Sequence, residues 1–386
     1  MYIIDDADMV KKIESYCRTW RVWLSCDNRY YMGGEIMDMQ SDQQSTSLSD
    51  DIELGAVCAQ SINIKVNGLH DFLGKSCRLY IYLADIIGGH NTTYNDLEKY
   101  TYSQLSLMTV KQISKLGEII GELIPLGSFV CVKSKHIGNI TEITLADKLY
   151  FSDKIYDFSN INFPTTGQTI ENDICQKLGI ENANSYSQNV KLRDKNNARL
   201  YDNNDKRLRV GTLDFPIKSI PERTTMRQML SYIASAHGQF GYIDRFGNYV
   251  RKWYGNSVKT LDNNAIDAPT LSEKSNVVTG MSCKVSNSLN YKSGDKSGRY
   301  IEFENPYMTQ SLFLSLSGRI VNRLEWYTAE LYYRLGDPRL DVGDVLTYLN
   351  DNGDAYNILI TSLGLTYDGG LSADIKSVGR NVEEQL

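Results

Sequence analysis

Alternating apolar and polar positions dominate the chain. Ser61 to Val66 sets Ile62, Ile64 and Val66 against Asn63 and Lys65, and the Asn67-Gly68 pair that follows predicts a turn. Cys77 to Leu83 sets Leu79, Ile81 and Leu83 against Arg78, Tyr80 and Tyr82. Phe129 to Lys133 and Ile140 to Leu145 predict two more strands, joined through His136-Ile137-Gly138-Asn139. Near the C-terminus, Asp344 to Leu349, Tyr356 to Ser362 and Leu371 to Ser377 predict a meander. Its turns fall at Asp351-Asn352-Gly353 and Asp368-Gly369-Gly370. Tyr outnumbers Phe 26 to 10, which suits half-buried pleated surfaces.

Helical spacing is rarer. Ile170, Ile174, Cys175 and Leu178 follow Thr169 as N-cap and stop at Gly179. Met226, Met229, Leu230 and Ile233 follow Thr224 or Thr225 and stop at Gly238. A third helix is predicted over Thr309 to Leu324, with Gly318 inside it, and a weaker one between Ser103 and Leu116. Segments 185–209 and 255–278 are polar and predict loops. The order of these elements predicts a mainly β protein with two β domains, 1–157 and 256–386, and an inserted α/β domain over 158–255. An internal echo supports the pairing. Pro125-Leu126-Gly127-Ser128-Phe129-Val130 is similar to Asp341-Val342-Gly343-Asp344-Val345-Leu346, and a strand begins 13 residues after each glycine, at Ile140 and Tyr356.

The length, 386 residues, exceeds what one hydrophobic core usually fills. With 41% hydrophobic and 23% charged residues, the composition excludes disorder, collagen-like sequence and a small disulfide scaffold. The longest apolar-leaning run, Glu118 to Val132, is broken by Gly121, Glu122 and Pro125, so no membrane span is expected. The start of the chain is acidic and lacks the apolar region of a secretory signal. Seven scattered cysteines suit buried thiols in a reducing compartment. A net charge of −6 argues against gripping nucleic acid, although not against a surface that DNA passes.

Catalytic motifs are missing: no Walker A loop, no H-E-x-x-H, no G-x-S-x-G and no dinucleotide fingerprint. The histidines 70, 90, 136 and 237 are scattered, and no C-x-x-C pair suggests zinc. Two acidic groups carry candidate chemistry. Asp337, Asp341 and Asp344 offer carboxylates for acid/base work or a metal, against the simpler reading of turn residues with Asp344 facing outward. Asp351-Asn352-Gly353-Asp354 is like part of a calcium loop without its distal glutamate, and suits a hairpin tip. The basic stretches Lys206-Arg207-Leu208-Arg209 and Arg251-Lys252-Trp253 suit solvated loop or interface charge. No catalytic, cofactor-binding or metal-ligating residue is assigned, and no enzyme activity or cofactor is expected.

Four phrases in order resemble the hub proteins of bacteriophage tails. They are Ile52-Glu53-Leu54-Gly55-Ala56-Val57-Cys58-Ala59-Gln60-Ser61-Ile62-Asn63-Ile64; Ile124-Pro125-Leu126-Gly127-Ser128-Phe129-Val130 with Thr141-Glu142-Ile143-Thr144-Leu145-Ala146-Asp147-Lys148-Leu149; the helix from Thr225 to Ala234 with Gly241 to Asn248; and Gly336 to Leu346 with Gly369 to Ile375. The stretch 88–122 departs from the resemblance as an insertion, and the first 30 residues match poorly.

What this resemblance implies is specific. The two β domains would be tube-like β-barrels, and three chains would form a ring of six barrels at the distal end of a tail tube. Such a homotrimer adapts a six-fold tube to a three-fold spike or tip, and DNA passes its lumen without specific binding. Its partners would be itself, the tube ring, the spike or tip protein and other baseplate components. The protein would sit in the virion tail after assembly in the host cytoplasm. No peptidase, lysozyme or fibre pattern follows the last strand, so wall cleavage or receptor binding is expected from another polypeptide. The competing reading is a carbohydrate- or receptor-binding tail adhesin that needs no ring. An enzyme is disfavoured by the missing constellation.

Overall fold

Period-two segments become strands and 3.6-period segments become helices in the structure, a computed structural model that describes residues 1–27, 29–47, 51–84, 92–114, 116–184 and 215–379. Helix α1 (Ala7–Ile13) leads to β1 (Trp20–Cys26), β2 (Arg29–Met32), β3 (Ile36–Gln44), β4 (Ser61–Asn67) and β5 (Ser76–Ala84). Short helices α2 (Tyr94–Leu97), α3 (Tyr102–Ser106) and α4 (Val110–Ile113) precede β6 (Ile119–Ile137) and β7 (Ile140–Ala146). The middle carries β8 (Thr165–Thr166), α5 (Gly167–Leu178), β9 (Pro216–Ile217), α6 (Met226–Ala236), β10 (Phe240–Ile243) and β11 (Tyr249–Lys252). Then come β12 (Ser257–Asp262), β13 (Ile266–Leu271), β14 (Asn276–Ser286), β15 (Leu289–Gly294), β16 (Arg299–Glu304) and α7 (Gln310–Ile320). The chain continues through β17 (Glu325–Trp326), β18 (Ala329–Tyr333), β19 (Val345–Leu349), β20 (Ala355–Leu359), β21 (Ser362–Tyr367) and β22 (Leu371–Ser377).

Eleven strands join in one open sheet, ordered β13-β18-β22-β21-β3-β4-β7-β6-β5-β1-β2. This corrects the expectation of two tube-like β-barrels: among the described residues no sheet closes on itself, and the barrel-lined DNA channel falls with the barrels. The physical reason lies in β3. One of its edges pairs with β4, and the other pairs with β21, through Ser362 to Gln44, Leu363 to Gln43, Thr366 to Gln40 and Tyr367 to Met39. Strand edges that could have curled each half shut are satisfied across the halves instead. The last third is also divided, because β12, β19 and β20 form their own three-stranded sheet and β14, β15 and β16 belong to another.

The same division limits the internal echo. Both segments do open antiparallel hairpins, β6–β7 and β19–β20, but in different sheets. Segment 255–278, expected as loop, contains β12, β13 and the start of β14. Strands β12 and β13 lie at sheet edges, where polar residues can face water. The predicted strand Tyr356 to Ser362 breaks near Ile360, so that β20 stays in the small sheet and β21 begins in the large one. The polar segment 185–209 lies outside the described residues.

Helix boundaries follow their caps. Helix α5 starts earlier than predicted because Thr166 is its N-cap and accepts the Thr169 N–H, and Gly179 ends it in the left-handed conformation. Thr225 and Gln228 form a capping box at α6, which buries Met226, Met229, Leu230 and Ile233. Helix α7 starts after Thr309 as predicted but ends at Ile320, where Val321 turns extended and Asn322 takes a positive φ of 56°. The candidate helix between Ser103 and Leu116 breaks into α3, α4 and a 3-10 turn, with Lys115 outside the described residues.

Alternation decides what each strand buries. On β1, Val22 and Leu24 enter the main core, whereas Trp23 points to the other face. There Trp23, Met32 and Tyr82 pack with Met108 and Leu116, so the segment within the predicted 88–122 insertion covers the reverse side of this end of the sheet. Gly55 shows why the phrase Leu54-Gly55-Ala56 needs a glycine. It has φ +85°, and a Cβ there would lie 2.6 Å from the Ser231 carbonyl oxygen and 2.8 Å from the Ser235 Cβ on α6. Gly55→Ala is therefore expected to destabilise by about 2 kcal/mol, read as a lower urea midpoint at unchanged m-value. An unchanged midpoint would show that α6 moves aside freely.

Candidate functional site

The three carboxylates singled out in the sequence are each matched by cations. Asp337, fully buried, receives the Arg339 Nε at 3.0 Å, the Arg339 Nη2 at 2.7 Å and the Lys259 Nζ at 2.6 Å. Burial alone would raise its pKa, but Arg339 and Lys259 outweigh that and hold it at about 2. Glu14 from the N-terminal segment joins the group, 2.9 Å from Arg339. Asp341 binds the Arg245 guanidinium through two contacts, 2.8 Å and 2.9 Å. Asp344 meets the Lys252 ammonium at 2.7 Å and the Met1 amino group at 2.6 Å.

Asp344 thus corrects the expectation that it faces outward: it is buried, and its pKa is lowered because Lys252 and the terminal ammonium outweigh the cost of burial. Asp337 and Asp344, with their pKa values lowered by these cations, are poor general bases near neutral pH, and the cations occupy their lone pairs. The turn reading of Asp337 holds, with the Leu340 N–H donating to the Asp337 carbonyl at 3.2 Å. Asp351-Asn352-Gly353 forms the tip of the β19–β20 hairpin, Gly353 having φ +83°.

The stretch Arg251-Lys252-Trp253 is likewise corrected from solvated charge to internal pairing. Arg251 on β11 reaches Glu171 at 2.9 Å, and both side chains are almost wholly buried. Glu171 sits inside the apolar stripe of α5, a position that periodicity alone does not mark as paired. The stretch Lys206 to Arg209 lies outside the described residues. His237 caps the end of α6 as the sequence suggested, and among the described residues no group of three or more His, Cys, Asp or Glu could hold a metal ion. His90 also lies outside the described residues.

Asp147, part of the Ala146-Asp147 phrase, is a buried carboxylate that no catalytic motif marks. It accepts the Gln60 N–H and the Leu149 N–H, both at 2.8 Å, joining the entry to β4 with the 3-10 turn after β7. Burial pushes its pKa up to about 7 against the pull of those N–H groups and Arg227. Arg227 on α6 donates to the carbonyls of Val57 and Leu149 and pairs with Asp153, so the helix is fastened to the first β segment by one side chain. The signal available in the sequence was an Arg in the first turn of an otherwise apolar helix.

A broad exposed feature among the described residues is the polar face of the eleven-stranded sheet. One row of facing residues runs from Lys133 through Thr144, Asn63, Gln40 and Thr366 to Ser372, across β6, β7, β4, β3, β21 and β22. Six strands at sheet spacing make this row about 24 Å wide. The opposite face sends Ile62, Ile64, Leu363, Leu365 and Ile375 into the core. Two shallow depressions of about 800 and 460 Å³ lie along the polar face. The larger one collects Asp42, Asp267, Glu330 and Asp374 around Lys376. A face so broad and shallow offers hydrogen bonds and net negative charge, without the enclosed apolar lining of a small-molecule pocket.

No protein-family model matches the sequence, and no curated protein sequence matches it. Solved structures do match in fold. The tail protein from Neisseria meningitidis MC58 is 13% identical, with a TM-score of 0.53 over 93% of this chain and 96% of that chain. The 43 kDa tail protein of prophage MuSo2 from Shewanella oneidensis is 14% identical, with a TM-score of 0.50 over 93% of this chain and 98% of that chain. The common fold extends over nearly the full length of each protein.

Proposed function

We propose that the chain is a non-catalytic structural subunit of a bacteriophage tail or a related tail-like particle, located in the virion tail. The observation that carries this reading is the near full-length fold likeness to two tail proteins. The ionic pairing supports it, since buried charge joins segments rather than forming a reactive site. The partners are copies of itself in a homotrimer, together with a tail tube ring, a spike or tip protein and other components of the tail end. Among the described residues, strands of segments 1–157 and 256–386 share the large sheet, and helices α5 and α6 of segment 158–255 pack into the same core. The wide acidic sheet face stays hydrated, and contacts between subunits are made by the sheet margins and loops, where backbone groups and apolar side chains are available.

The test is sedimentation and electron microscopy of the full chain, alone and with tail proteins encoded beside it. Three-fold particles, or incorporation into a tail end, are the expected result. A monomer under every condition that instead binds host wall polysaccharide saturably would move the assignment to an adhesin.

A further inference from the structure

Cys26 and Cys77 stand directly opposite each other on β1 and β5. The adjacent pair is hydrogen-bonded, the Asp27 N–H donating to the Ser76 carbonyl at 3.1 Å, and the same parity holds at the far end of the ladder, where the Ala84 N–H donates to the Thr19 carbonyl at 2.8 Å. Hydrogen-bonded and non-hydrogen-bonded pairs alternate along an antiparallel ladder, so Cys26 and Cys77 form a non-hydrogen-bonded pair. In such pairs the Cα atoms lie about 4.5 Å apart and the side chains are closest. A disulfide accepts Cα separations of about 4.4–6.8 Å.

Both thiols point into the core, with residue exposures of 3% and 1%. Hydrogen bonding from Cys77 draws the Cys26 pKa below its ordinary value, and that interaction, with burial, pushes Cys77 up; the Cys77 thiol also faces the Lys75 carbonyl at 3.8 Å. The third thiol nearby, Cys131 on β6, is turned toward the Lys133 carbonyl at 3.1 Å. Burial raises its pKa to about 11. Cys77 also borders a cleft of about 520 Å³, lined by Asp27, Arg78, Lys148 and Asn248, that opens to solvent. A small oxidant therefore approaches the pair from the Cys77 side, since Cys26 does not line the cleft.

We propose that Cys26 and Cys77 are an oxidisable dithiol that closes into a disulfide staple between β1 and β5 when a hydroperoxide reaches the cleft. The Cys26 thiolate attacks one peroxide oxygen, the O–O bond breaks and hydroxide leaves, making a sulfenic acid. The Cys77 sulfur then attacks the sulfenic sulfur; the S–S bond forms, the S–O bond breaks, and the departing hydroxide takes the Cys77 proton. Overall the two thiols lose two electrons and two protons, and hydrogen peroxide is reduced to two waters. The staple would pin the strand next to the β2 margin of the sheet.

The experiment treats the folded full chain with hydrogen peroxide, alkylates the remaining thiols in denaturant and maps the peptides without reduction. The expected product links Cys26 to Cys77, which both lose alkylation apart from any oxidation of Cys17, and the link reverts with dithiothreitol. Cys131→Ser is expected to leave that link in place. Exposed Cys17 reports that peroxide was effective. A Cys77–Cys131 link, separate over-oxidation of Cys26, or intact thiols at both positions once Cys17 has reacted would each overturn the proposal.

Discussion

Asp337→Ala is expected to lower folding stability by about 3–5 kcal/mol, because it leaves the buried Arg339 and the largely buried Lys259 with only the half-exposed Glu14 as an anion. That is a large fraction of the total stability of an ordinary domain, about 5–15 kcal/mol. Urea unfolding monitored by fluorescence measures it, and Asp337→Asn, which keeps an acceptor but not the charge, is expected to fall between the two. The carboxylate also sets an acid limit. Its folded pKa of about 2 lies below the ordinary 3.8, so its stabilisation is complete above the unfolded value and is lost as pH falls through the folded one. About 2 kcal/mol should disappear between roughly pH 4 and pH 2 in the wild type. Asp337→Asn should lack that part of the curve; if the two proteins lose stability in parallel there, the ion pair contributes nothing.

Arg245→Ala is expected to cost a similar amount, about 3–5 kcal/mol, for a different reason. Arg245 sits in the β10–β11 turn and, besides Asp341, donates to the carbonyls of Pro125, Pro338 and Leu340. Pro125 belongs to β6, and the other three lie in the loop before β19, so one planar guanidinium ties three stretches of chain that are far apart in sequence. Arg245→Lys should recover little, since an ammonium cannot hold a carboxylate with two parallel bonds and reach three carbonyls. Arg245→Met combined with Asp341→Leu should cost less than Arg245→Ala alone, because no unpaired charge remains. Additive losses in that double variant would exclude direct coupling.

Local pattern was a good guide to individual elements. The strands around Ile62, Leu79 and Ile143, the helix begun by Thr225, and the Asn352-Gly353 tip are where alternation, capping and turn chemistry place them. These are decided within a few residues, by which face of a strand is apolar and which hydroxyl reaches an orphan N–H. The candidate acidic site was legible only as residue types. Asp337, Asp341 and Asp344 are close in sequence, but Lys259, Arg245, Lys252 and the Met1 amino group come from elsewhere in the chain, so their neutralisation carries no local signature.

What the sequence determined by itself is part of the strands and helices, among them β4, β5, β7, β19, β22, α5 and α6, together with a resemblance to phage tail proteins. What the tertiary structure decided is which strand edges meet. β3 and β21 carry the same alternation whether each half closes on itself or joins the other, because side-chain pattern specifies a strand's face and says nothing of its edge. The pairings of Gln44 with Ser362 and of Gln40 with Thr366 are made by backbone groups that nearly every residue possesses. Edge choice therefore depends on the packing of the whole chain, and it turned two expected barrels into one open sheet.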